Sequence, residues 1–179
     1  SQIITGFRTR QEVLIFTDIA LSTLQFLGTE EVFAIQEISD SINIIGPKVV
    51  AEANNVVYWM GADKFFAYDG RVNTLPCTLK QYVFEDMNKN EGYLNFAGVN
   101  SEFNEIIWFY CSGGSNSIDR YVIFNYEDKI WYYGNLTRTA WANPGTIKFP
   151  LATFNGYVYK HEDGKDNVET PGATPTAIE

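Results

Sequence analysis

The only histidine of the chain, His161, sits in the phrase KHEDGKD, with Glu162, Asp163 and Asp166 close behind it. Those donors could suit a divalent cation, but the spacing matches neither an EF-hand loop nor a zinc site, so an exposed hairpin turn is expected. A Ser-His-Asp triad would also need His161, and no Gly-x-Ser-x-Gly elbow is present to supply its nucleophile. Ser112-Gly113-Gly114-Ser115 resembles a glycine-rich phosphate loop only superficially. It lacks the Lys-Ser/Thr ending, and no helix pattern follows it. Asp63, Asp69, Glu105 and Asp128 are the carboxylates to weigh as a glycosidase-type acid pair. Each lies beside a predicted turn, where acidic side chains serve solvation and local backbone bonding. Asn135-Leu136-Thr137 fits a glycosylation acceptor, but nothing in the sequence marks the chain for secretion, and the match is read as coincidence. Cys77 and Cys111 show no metal spacing and read as two buried free thiols rather than a disulfide.

Arg138, in the phrase LTRTAW, has two readings. Flanked by threonines and followed by Trp141, it can pair with a carboxylate across a subunit interface, or it can form an internal salt bridge. Arg138 and Trp141 are therefore the candidate interface residues. No catalytic residue, cofactor or metal ligand is assigned.

The 179 residues carry a net charge of −9, and no cluster of Lys and Arg interrupts the acidic balance. Phosphate affinity comes mainly from clustered cations, so ordinary nucleic-acid binding is not expected. Aromatic residues make up 16% of the chain. They fall inside strand-like phrases, which points to a packed all-β structure. The longest uncharged stretch, 106–118, contains Ser, Gly and Asn and is too short to cross a bilayer. The chain reads as beginning partway through a longer polypeptide, with 1–164 as one β-propeller-like domain and 165–179 as a loop or truncated linker.

The elements that would position these residues follow a repeated strand-turn-strand phrase, clearest in VVYWMGADKFFAYDG at 56–70. Taking Val13, Val56, Ile106 and Tyr157 as equivalent starts gives steps of about 40–50 residues, the length of a propeller blade. The first unit is expected to run from Glu12 to Ile38, and the second to begin at Val49 after a connector ending in Gly46-Pro47. In 56–60 and 106–110 both alternating faces are apolar, so both strands should be covered on both sides. One helix is predicted over 79–89, with Leu79, Tyr82, Val83 and Met87 inward and a Thr78/Gln81 capping box. It should lead into a strand over 93–99. The loop at 112–119 is expected to be exposed and mobile.

The succession TRQEVLIFTDIALSTLQFLG, SINIIGPKVVAEANNVVYWMGADKFFAYDG, TLKQYVFEDMNKN and FNEIIWFYCSGGSNSIDRYVIFNYEDKIWYYG resembles the propeller-type hub or nozzle proteins of short-tailed bacteriophages. That group includes those called packaged-DNA stabilisation proteins. The resemblance runs from about Thr9 to Gly164 and implies a non-enzymatic virion protein of the tail, made in the host cytoplasm. It also implies a ring of identical subunits that meets other tail or portal-proximal proteins, with DNA passing by without specific binding. Members of the group are longer than this chain, so a partial propeller is expected. The competing reading is a carbohydrate-binding or carbohydrate-cleaving propeller, which requires exposed aromatic rings beside carboxylates. A protein-interaction propeller of the Trp-Asp or kelch type lacks its punctuation here.

Overall fold

The computed structural model describes residues 1–28 and 32–164, together with the backbone of 166–167 and 176–177. Its strands form four antiparallel meanders in strict chain order, each a propeller-like blade. Blade 1 comprises β1 (Ile3–Arg8), β2 (Val13–Thr17), β3 (Leu21–Phe26) and β4 (Phe33–Ser39). Blade 2 comprises β5 (Val50–Ala53), β6 (Val56–Met60), β7 (Phe65–Tyr68) and β8 (Val72–Leu75). Blade 3 comprises β9 (Phe96–Asn100), β10 (Glu105–Tyr110), β11 (Arg120–Asn125) and β12 (Ile130–Asn135). Blade 4 comprises β13 (Ala140–Ala142), β14 (Leu151–Phe154) and β15 (Tyr157–Lys160). Within the segment expected to be a loop, 166–167 pairs with 176–177. The rest of 165–179 lies outside the described residues.

Turn chemistry explains the meanders. Asn54 and Asn55 both take positive φ between β5 and β6, as Asn155 and Gly156 do between β14 and β15. Two consecutive left-handed residues make the tight turn whose twist matches its flanking strands, and Asn and Gly tolerate that conformation best.

Blades stack on one another through alternating strand residues, since neighbours along a strand point to opposite faces. Leu14, Phe16 and Leu21 of blade 1 pack against Val57, Trp59 and Phe66 of blade 2. The opposite face of blade 2, with Tyr58, Met60 and Phe65, packs against Ile106, Trp108 and Phe124 of blade 3. Ile107 and Phe109, on the far face of blade 3, meet Trp141 of blade 4. The expectation that 56–60 and 106–110 are covered on both faces is met: Val57, Tyr58, Trp59 and Met60 are buried, as are all of Ile106 to Tyr110. Each fully buried large apolar side chain contributes about 1.5–3 kcal/mol, so these two strands carry much of the core.

Each tryptophan anchors a junction by donating its indole N–H to a backbone carbonyl. Trp59 bonds Asn43 O at 3.1 Å, Trp108 bonds Val49 O at 3.0 Å, Trp131 bonds Pro76 O at 2.9 Å and Trp141 bonds Val99 O at 3.4 Å.

The structure departs from the sequence reading in several places. Blade 1 has a strand, β1, ahead of the expected start at Glu12. Tyr157 opens the third strand of its blade and is not equivalent to Val13, Val56 and Ile106, which lie in second strands; Leu151 holds that place. The helix is α1 (Lys80–Asp86), shorter than 79–89, and Leu79 occupies its N-cap without any side-chain capping bond. The helix stops because Met87 turns extended and pairs with Ser112, while Asn88 N–H donates to Cys111 O at 2.8 Å. Its buried face carries Val83 and Phe84 in place of Tyr82, which is exposed. Phe84 packs on Phe65 with ring centroids 5.1 Å apart, seating α1 over the junction of blades 2 and 3. A 3-10 helix (Lys89–Leu94) follows, so the next strand begins at Phe96 and not at Tyr93.

Candidate functional site at the junction of blades 3 and 4

Arg138 lies on the segment between β12 and β13, and Trp141 lies in β13, the first strand of blade 4. Arg138 is buried, at 3% exposure. Its Nε donates to His161 Nε2 at 3.1 Å, its Nη1 donates to Thr137 O at 2.7 Å, and its Cζ lies 4.5 Å from the centroid of the Tyr159 ring. The bond to His161 requires a lone pair on Nε2, which places the imidazole proton on Nδ1. His161 is thus no exposed hairpin turn: it is half-buried, its ring 5.0 Å from Trp141, and its N–H donates to Pro150 O.

Trp141 is half-buried in the slot left by Gly98, where a β-carbon would collide with its indole. Phe109 flanks it at 5.6 Å, and Asn143 Oδ1 beside it accepts from Val99 N–H at 2.7 Å. An open cleft of about 530 Å³ runs past this indole, lined also by Lys48, Phe96, Ile118 and Ala140.

Next to this junction the fold brings together a pair of carboxylates that the sequence does not suggest. Asn100, fully buried, donates through its single Nδ2 to Glu105 Oε2 at 3.4 Å and to Glu162 Oε1 at 3.5 Å. Burial first, and then the charge of Glu162, raise the pKa of Glu105 above the ordinary carboxyl range, against the bond from Asn100. Partial desolvation of its carboxyl, and then Glu102, raise that of Glu162, although the residue as a whole lies at the surface. Among the described residues Asn100 Oδ1 has no hydrogen-bond partner. Nothing in local sequence could announce the pair, because Glu105 and Glu162 stand on different blades.

The other candidates disperse. Asp63 accepts from Asn43 Nδ2 at 3.2 Å in the β6–β7 turn, and Asp69 accepts from Arg71 N–H in the β7–β8 turn. Asp128 N–H donates to Asn125 Oδ1 in the β11–β12 turn. Among the described residues no three His, Cys, Asp or Glu side chains gather as a metal-binding group. Cys77 and Cys111 are free thiols, Cys111 buried and Cys77 half-buried, and burial pushes each up to about 11, which keeps them protonated and weakly nucleophilic at neutral pH.

The 112–119 loop exposes Gly113, Gly114, Asn116 and Ser117, as expected, and is tied down at its base. Ser112 donates from N–H and Oγ to the Asp119 carboxylate at 2.8 and 2.7 Å, Asn88 Nδ2 holds Ser115 O at 2.9 Å, and Ile118 is buried. Trp59, Trp108 and Trp131 are buried and Trp141 is half-buried. Among the described residues no helix is long and apolar enough to cross a membrane.

No protein-family model matches the chain, and no curated protein matches it.

Proposed function

We propose that this chain is a structural subunit of a bacteriophage tail hub or nozzle, one segment of the conduit through which packaged DNA leaves the particle. The observation that carries the reading is the four-blade stack. Its buried aromatic residues serve blade-to-blade packing, and among the described residues its acidic side chains sit largely at turns and blade ends, which suits a scaffold. The element order that resembles the hub and nozzle group agrees with this architecture.

The charge supports the same role. A conduit that bound DNA tightly would obstruct it, whereas a surface of net charge −9 repels phosphates and lets the duplex slide. The subunit acts in a ring with further copies and meets neighbouring tail or portal-proximal proteins, with the segment around Arg138 and Trp141 near the contact.

Antibodies raised against the chain, applied to purified phage particles, should label the tail by immunogold electron microscopy. In parallel, duplex DNA should show no binding at physiological salt. Absence from the particle, or specific capture or hydrolysis of a defined glycan by the purified chain, would replace this reading with the carbohydrate-directed one.

A further inference from the structure

The carboxylates bridged by Asn100 come from two blades. Asn100 ends β9 and Glu105 opens β10, and the two are paired across that hairpin of blade 3. Glu162 follows β15 of blade 4. Among the described residues neither carboxylate has a Lys or Arg partner, and Lys160, the cation nearest to Glu162 in sequence, is held by Asp163. Glu102, in the turn between β9 and β10, adds its own negative charge beside Glu162.

The amide of Asn100 serves this pair poorly as a donor. Its Nδ2 lies 3.4 Å from Glu105 Oε2 and 3.5 Å from Glu162 Oε1. Both distances exceed the range of about 2.7–3.2 Å usual for N–H···O bonds. Its Oδ1 bonds nothing among the described residues, although the side chain is fully buried. Two long bonds from one nitrogen and an orphaned carbonyl are a costly arrangement for a buried amide.

A half-turn about the Cβ–Cγ bond exchanges the two ends of the amide. Oδ1 then stands about where Nδ2 stood, and three oxygens from two blades face one point. One end of the amide is still without a protein partner, as before, so the turn adds no orphaned group. Without a cation the three oxygens repel one another, which keeps the nitrogen towards the carboxylates. With a cation between them the carbonyl is the better end.

The spacing selects the ion. Oxygens at right angles around a metal are separated by the square root of two times the metal–oxygen distance. That edge is about 3.4 Å for calcium, bound at roughly 2.4 Å, and about 2.9 Å for magnesium, bound at roughly 2.0–2.1 Å. The separations of 3.4 and 3.5 Å match the calcium edge.

We propose that Glu105 Oε2, Glu162 Oε1 and Asn100 Oδ1 form a calcium site that ties blade 4 to blade 3, with water completing the coordination shell. The site stands whether or not the chain belongs to a virion. Two carboxylates and one carbonyl make a weak site, with Kd about 0.1–1 mM.

The test is calorimetric titration of the purified chain with calcium chloride, after EDTA treatment and in about 0.15 M salt to screen diffuse attraction to the acidic surface. Wild type should bind one calcium per chain, and magnesium at least tenfold more weakly. Glu105→Gln and Glu162→Gln, near-isosteric and checked by circular dichroism, should each weaken calcium binding at least tenfold. Glu37→Gln, on β4 of blade 1, should leave it unchanged. At tenfold excess over Kd, calcium should raise the wild-type thermal midpoint by about 3–6 °C and leave that of both site variants where it was. A wild type that binds no calcium up to about 10 mM, well above the range of weak sites, overturns the proposal. So does binding that both variants keep, which would be diffuse, or binding lost in Glu162→Gln and kept in Glu105→Gln, which would assign the ion to the turn after β15 alone. Equal affinity for magnesium overturns the choice of calcium.

Discussion

At Gly98 the indole of Trp141 stands where a β-carbon would be, so the smallest side chain already displaces the ring. Gly98→Ala should cost about 1–3 kcal/mol of unfolding free energy through overpacking, measured by urea titration, and should red-shift tryptophan emission as Trp141 is pushed outward. The carboxylates bridged by Asn100 give a pH signature. Both have raised native pKa values, so the folded chain holds more protons than the unfolded chain between the ordinary carboxyl value and the raised ones. Their contribution is therefore most favourable below the ordinary carboxyl range and is lost as pH rises through the native values. Glu105→Gln should stabilise the chain more at pH 7 than at pH 4.5, and comparing the two urea midpoints checks it. Arg138 and Trp141 stand out in the sequence because an arginine flanked by threonines and followed by Trp141 can pair with a carboxylate or bridge subunits. Their partners Gly98, Tyr159 and His161 could not be read there, because blade stacking, and not local spacing, brings them together.

Helix α1 shows how an element can be recognised and still be misread at one position, since Leu79, Val83 and Met87 pack inward as the spacing predicts while Phe84 is buried and Tyr82 is exposed. Leu79, Tyr82, Val83 and Met87 share helical spacing, but the chain leaves the helix at Met87 to pair with Ser112, and the shortened element turns Phe84 inward. Phe84→Ala should cost about 3–5 kcal/mol, as for other large core truncations, whereas Tyr82→Ala should cost under about 1.5 kcal/mol because its ring is exposed, resting on Tyr133 at the surface. Thermal denaturation of the two variants distinguishes the two positions. Strands β6 and β10 were legible because both of their faces are apolar. Strand β1 was not, since Thr5 and Gly6 interrupt its apolar residues, and β13 is only three residues long. The repeat slipped at blade 4 because the chain between β13 and β14 is long there, and the Tyr157 phrase resembles a hairpin opening while it closes one.

Among the described residues, stacking in chain order covers blades 2 and 3 on both faces and blades 1 and 4 on one. Hydrogen exchange should follow that order: amides of β6 and β10 should exchange slowest and those of β4 and β15 earliest, as exposed edges with few buried neighbours open locally. If β4 proved as protected as β6, blade 1 would have a partner in solution. The indole bonds described above carry a practical consequence. The chain has four tryptophans, one fixed at the junction of blades 1 and 2, two at that of blades 2 and 3, and one at that of blades 3 and 4. Biosynthetic replacement by fluorotryptophan would therefore give a fluorine spectrum in which every line reports a known seam, so the molecule comes with its own set of internal strain gauges.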